Sequence, residues 1–102
     1  MDGQPRIGAS REEVAGFCRR HNIARFSLFG SVLSDRFGRD SDVDVLVEFE
    51  PGNTPGLLSL ASIERELSEI FGGRKVDLQT PSMLSRYFRD EVLQKARLEY
   101  AD

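Results

Sequence analysis

Eight residues near the middle of the chain, Asp42-Val43-Asp44-Val45-Leu46-Val47-Glu48-Phe49, constrain its fold more than any other stretch. Side chains here repeat with a period of two, the period of a β-strand rather than a helix. Val43, Val45, Val47 and Phe49 fall on one face, and Asp42, Asp44, Leu46 and Glu48 on the other. A strand with one wholly apolar face needs something packed against it, so the rest of the chain is read for what covers it.

The flanking pattern supplies helices. Ser10-Arg11-Glu12-Glu13 fits a capping box, with Ser10 as N-cap and Glu13 reaching back to it. Val14, Phe17, Cys18 and His21 follow at helical spacing, which predicts a helix over 11–21. Arg25–Phe29 is a short strand stopped by Gly30, Ser31–Arg36 a short helix, and 38–41 a loop. Glu50–Gly56 is a second loop, in which Thr54 or a neighbour caps the next helix and Pro55 lies near its first turn. Leu57, Leu60, Ile63, Leu67, Ile70 and Phe71 make a broad apolar stripe that Gly72-Gly73 ends. Lys75–Gln79 is a third strand. Thr80-Pro81 then opens a last helix running to about Tyr100, with Leu84, Phe88 and Val92 four apart. Helices alternating with short strands give a small α/β domain in which helices pack on a mixed sheet. Residues 1–9 read as a flexible lead-in and 10–102 as a single domain.

Composition narrows the function classes. Asp and Glu outnumber Lys and Arg by 17 to 14, a formal net charge of −3. That disfavours a protein that holds nucleic acid by bulk positive charge, but not a site that handles phosphate through a metal ion. No apolar run approaches the roughly 18 residues of a membrane span, and Met1–Arg11 has no apolar core of a signal peptide. The single cysteine, Cys18, excludes an internal disulfide framework and a multi-Cys zinc site, and the single histidine, His21, leaves little room for His-based metal binding. Both read as packing residues. These features predict a cytoplasmic protein, and any metal would be a hard cation on oxygen ligands.

Candidate chemistry begins with the aspartates. Asp42 and Asp44 share a strand face with Cα atoms roughly 6.5 Å apart. Asp disfavours strands, and like charges on one face repel. A divalent cation between the carboxylates would offset both, and Mg²⁺ is commonly held by one or two carboxylates plus substrate phosphates. The plainer alternative is a solvated strand end beside a turn. Gly30-Ser31 sits between a strand and a helix start. There the backbone can approach a ligand, and free N–H groups with a hydroxyl form an anion cradle. The alternative is an ordinary strand-to-helix turn. Asp77 alternates with Val76 and Leu78, and so faces away from the core. If its strand neighbours the Asp42–Asp44 strand, three carboxylates converge, an arrangement that in-line phosphoryl or nucleotidyl transfer uses around one or two metal ions. Otherwise Asp77 is an edge residue paired with Lys75 or Arg74.

Together these residues resemble a known family. Gly30-Ser31, ten intervening residues, then Asp42-x-Asp44 is the signature of the DNA-polymerase-β-like nucleotidyltransferase superfamily. The surrounding Ser27–Val32 and Asp40–Phe49, with Pro51–Leu57 and Lys75–Leu78, look like its minimal nucleotidyltransferase branch. The resemblance runs from about residue 11 to 100 and implies the polymerase β-like fold. It implies that Asp42 and Asp44 bind the metals carrying a nucleoside triphosphate, with two Mg²⁺ ions and ATP. It also implies that Asp77 binds the catalytic metal and helps activate the acceptor, while Gly30 and Ser31 contact the terminal phosphates. Small members of this branch are often encoded beside an all-helical HEPN-domain RNase toxin, and resemble antitoxins that attach AMP to a tyrosine of that toxin. Where the family often has Arg-Gly after Gly-Ser, this chain has Ser34-Asp35.

The chain has no spare length for an acceptor-binding domain, so the acceptor is expected from a partner. Arg86, Arg89, Lys95 and Arg97, interleaved with Tyr87, Phe88 and Tyr100, are either a partner surface or the solvated side of an amphipathic helix. Two readings stand. The chain is a Mg²⁺-dependent nucleotidyltransferase acting on a protein partner, or it keeps that fold and neutralises the partner by occlusion alone.

Overall fold

The computed structural model describes residues 10–30, 42–87 and 89–101. The expected capping box opens α1 (Arg11–Arg20): Glu13 N donates to Ser10 Oγ and Ser10 N to Glu13 Oε1, each at 3.1 Å. His21 caps the other end. Asn22, at φ +57°, then turns the chain into β1 (Ile23–Phe29), which begins two residues earlier than expected. β2 (Val43–Phe49) matches its prediction, with Asp42 immediately before it. The predicted helix over Ser31–Arg36 lies outside the described residues.

α2 (Leu57–Ile70) starts from Gly56, with no side chain capping it. Thr54 and Pro55 therefore precede the helix, and Thr54 does not cap it. Gly72 and Gly73, at φ +75° and +87°, close it. Their N–H groups reach back to Glu69 and Ser68 carbonyls, a turn that glycine adopts without strain. β3 (Val76–Gln79) follows.

The C-terminal stretch departs from the sequence reading. Thr80 and Pro81 hold the N-cap and first positions of a helix, but of a single 3₁₀ turn, Pro81–Met83. Leu84 is extended, with ψ 145°. The α-helical part, α3, is only Arg89–Lys95, and Arg97–Ala101 is a strand, β4. Phe88, the middle of the predicted four-residue spacing, lies outside the described residues. The reason is tertiary. β1 has an open edge, and Arg97-Leu98-Glu99-Tyr100-Ala101 gains more by pairing with that edge than by extending a short helix.

The sheet order is β3-β2-β1-β4. β2 and β3 run parallel, joined through α2; β1 is antiparallel to both β2 and β4, so the sheet is mixed as predicted. α1 and α2 cover one face. Val43, Val45 and Val47 are buried there with Val76 and Leu78 of β3, Phe17 of α1 and Leu67 of α2. Phe26 sits edge-on between Phe17 and Phe71, with ring centroids 6.3 and 6.5 Å away. Edge-to-face aromatic packing of this kind ties both helices to the sheet centre. Cys18 is fully buried in this core, and burial pushes its thiol pKa up to about 12. It is a packing residue, as read from the sequence. His21 is half-buried, its ring packed on Phe17 with centroids 4.9 Å apart, and it also joins the helices: its Nε2 lies 3.0 Å from Glu66 Oε1 of α2, and Arg20 pairs with the same carboxylate.

Candidate functional site

The other face of the sheet carries the acidic residues, and strand register decides which of them meet. β1 and β2 pair Phe29 with Asp44, and β2 and β3 pair Asp44 with Asp77. Asp44 and Asp77 are thus direct neighbours across a parallel ladder, on adjacent strands roughly 4.8 Å apart. Val76 and Leu78 are buried on the helix side, so alternation turns Asp77 to the same side as Asp44. Gln79 Nε2, two residues along, donates to Asp77 Oδ1 at 2.9 Å.

Gly30 completes this corner. It lies one residue beyond the partner of Asp44, at φ +73°. A Cβ added there would lie 2.3 Å from Asp44 Oδ2. The backbone conformation favours glycine, and any side chain at this position would have to displace the Asp44 carboxylate. The backbone at the end of β1 therefore lies directly against the carboxylate of Asp44. Ser31, the other half of the predicted cradle, lies outside the described residues.

Asp42 stands apart from this pair. It precedes β2 by one residue, and its Oδ2 is 4.0 Å from Lys75 Nζ, both side chains being solvent-exposed. Among the described residues no three His, Cys, Asp or Glu side chains gather closely enough to hold an ion between them. The strand arrangement expected for convergence is present, but the closed three-carboxylate cluster is not. Lys75 stands beside Asp42, and Gln79 binds Asp77. The alternative for Asp77 is also half right: it lies on the edge strand β3, yet its hydrogen bond goes to Gln79 rather than Lys75 or Arg74.

The donor set fits a hard cation. It contains only carboxylate oxygens, and two adjacent acidic side chains are what Mg²⁺ ordinarily takes from a protein when phosphate oxygens supply the rest. The close approach of backbone at Gly30 to Asp44 places potential anion donors beside that pair.

The cationic row predicted on one long helix is divided. Lys95 bonds Glu91 at 2.8 Å within α3; Arg97 pairs with Glu99 at 3.0 Å on β4; Arg89 Nη2 donates to the Leu84 carbonyl at 3.2 Å. Tyr100 packs against the core, whereas Tyr87 is exposed. Burial raises the Glu99 pKa, and the neighbouring Arg97 and Arg11 pull it back only in part.

The sequence reading passed over two residues on the acidic face. Arg25 and Glu48 are register partners on β1 and β2, and both line a cavity of about 360 Å³ beyond Leu46. Period-two spacing from Asp44 was the signal for Glu48. Nothing local identified Arg25, because its partner is set by the antiparallel register.

Comparison with known proteins places this arrangement. Residues 11–99 match the nucleotidyltransferase domain family. A candidate protein adenylyltransferase of Methanocaldococcus jannaschii, MJ0435, is 31% identical over 90 residues, 88% of this chain and 94% of that protein. The protein adenylyltransferase MntA of Thermococcus cleftensis is 36% identical over 76 residues, 74% of each chain. Among solved structures, a candidate minimal nucleotidyltransferase superposes with TM-score 0.69 at 38% identity, covering 84% of this chain and 85% of that one. At the level of fold, a toxin–antitoxin structure with AMP-PNP gives TM-score 0.74 at 18% identity, covering 91% and 74%. A tri-AMPylated Shewanella oneidensis HEPN toxin in complex with its MNT antitoxin gives 0.65 at 16%, covering 90% and 70%. The chain belongs to the nucleotidyltransferase domain family, an enzyme family, and within it to the minimal nucleotidyltransferases.

Proposed function

We propose that the chain transfers AMP from ATP to a tyrosine hydroxyl of a HEPN-domain RNase toxin, and so acts as its antitoxin in the cytoplasm. The observation that carries this reading is the register pairing of Asp44 with Asp77 beside a glycine in left-handed conformation packed against Asp44. Relatives named as protein adenylyltransferases support the reaction class, and antitoxins of the same fold bound to a toxin support the partner.

In this reading the adjacent Asp44 and Asp77, with Asp42 from just before β2, would hold Mg²⁺, which would supply positive charge to the triphosphate. Gly30 and Ser31 contact the terminal phosphates through backbone N–H groups and the serine hydroxyl. Asp77, on the exposed edge strand, is open to an acceptor and takes the proton of the attacking hydroxyl. The hydroxyl oxygen bonds to the α-phosphorus, the bond from that phosphorus to the bridging oxygen breaks, and pyrophosphate leaves.

One sequence feature favours a second reading, in which the fold binds and occludes the toxin without turnover. Ser34-Asp35 stands where the resemblance to the family leads one to expect Arg-Gly, so a cation is replaced and an anion gained. A like charge near a triphosphate costs on the order of 1 kcal/mol, depending on exposure. Incubation with labelled ATP, Mg²⁺ and the product of the neighbouring reading frame separates the two. A mass gain of one or more AMP units on the partner is expected; a stable complex with unchanged mass establishes occlusion instead.

A further inference from the structure

The face that carries Asp44 and Asp77 continues along β1 and β2 into the cavity of about 360 Å³. Ser27 and Leu46, themselves register partners, contribute from the sheet. Pro81, Leu93, Ala96 and Leu98 give it an apolar lining from the 3₁₀ turn, α3, its end and β4. Leu46 is two residues beyond Asp44 and Glu48 four, so the cavity spans roughly 7–13 Å from the acidic pair along one face.

Arg25 and Glu48 both line it and stand opposite each other across the antiparallel ladder. Opposite charges at directly paired positions, with Cβ atoms about 5 Å apart, are well placed to bond one another. These two do not: neither side chain makes a hydrogen bond or ion pair with any described residue. A planar fork of donors, solvent-exposed, and a half-buried carboxylate acceptor thus stand side by side without a protein partner, in a cavity otherwise lined mainly by aliphatic groups. Such a pair matches a flat heterocycle that presents a donor next to an acceptor on one edge. Adenine does so, with its exocyclic amine beside a ring nitrogen. An acceptor tyrosine does not fit as well. Its only polar group is the hydroxyl, which must point at the reacting phosphorus and leaves nothing for the two charges.

We propose that this cavity receives the base of the donor nucleotide. Glu48 accepts from the exocyclic amine, and Arg25 donates to the adjacent ring nitrogen. The ribose then bridges the span back to the phosphates, so the proposal rests on their lying at Asp44 and Asp77. Inosine triphosphate is the sharp probe, because it replaces the amine with a carbonyl and the ring acceptor with a donor.

The test is titration calorimetry of the full chain in Mg²⁺ with ATP, inosine triphosphate and inorganic tripolyphosphate. ATP is expected to bind at least tenfold more tightly than inosine triphosphate, the scale of one or two hydrogen bonds to charged groups. Glu48→Ala and Arg25→Ala should each bring ATP to the level of inosine triphosphate while tripolyphosphate binding stays unchanged. Equal or reversed affinities of the two nucleotides, or variants that keep their ratio, overturn the base site. Tripolyphosphate binding that Asp44→Asn removes shows in that case that the phosphate end still stands. Failure of both tripolyphosphate and ATP to bind overturns the phosphate reading and the base site with it.

Discussion

Gly30 and Asp44 act as one unit at the residue scale. Gly30→Ala forces a non-glycine residue to φ +73° and sets a methyl group 2.3 Å from a carboxylate oxygen. The left-handed backbone alone costs about 1–2 kcal/mol, and the collision must also displace Asp44. The expected outcome is a lower denaturation midpoint together with loss of ATP binding, read by urea titration and calorimetry; wild-type ATP affinity would refute the assigned corner. Glu66 offers a pH signature. The hydrogen bond from Arg20, with further help from His21, holds its carboxyl below the usual range. An acid whose folded pKa is depressed adds stability above its unfolded value of about 4.3, and that increment disappears as pH falls through the folded value. The carboxylate is partly exposed, so the increment is at most about 1 kcal/mol. Glu66→Gln should therefore melt earlier than wild type at pH 7 and converge with it in strong acid. A gap that persists at low pH would assign the effect to packing.

At the scale of elements, α2 is the part on which the site depends. It carries the chain from β2 to β3 and so sets the parallel register that pairs Asp44 with Asp77. Leu67 is fully buried beneath it. Leu67→Ala removes that anchor and should cost about 2–5 kcal/mol in chemical denaturation; a loss below 1 kcal/mol would mean α2 is held elsewhere. The helix itself was legible because its apolar stripe repeats over four turns. β4 was not. Arg97–Ala101 contains Leu98 and Tyr100 two apart, a strand spacing, but it follows directly on a helical pattern. Only the open edge of β1 makes the strand the better choice. The same edge explains why a cationic row expected on one helix is split between α3 and β4.

For the whole molecule, the proposed function gives the acidic face and the proposed partner separate roles. Asp42→Asn and Asp44→Asn remove charge from one face while leaving the helix-covered core untouched. Each should abolish AMP transfer to the partner yet leave the melting temperature and the complex nearly unchanged, measured by intact mass and size-exclusion chromatography; full transfer by either variant would refute the metal assignment. The sequence by itself determined the aspartate-bearing strand, the capped first helix, the striped second helix and Gly30, because each is written in contacts a few residues long or in the period of one element. Tertiary structure alone decided that Asp77 stands next to Asp44, that Asp42 lies by Lys75, that Arg25 faces Glu48 and that the last residues form a strand. Those relations depend on which strand lies beside which and in what register, and ladder pairing between distant segments leaves no local mark on the residues that take part.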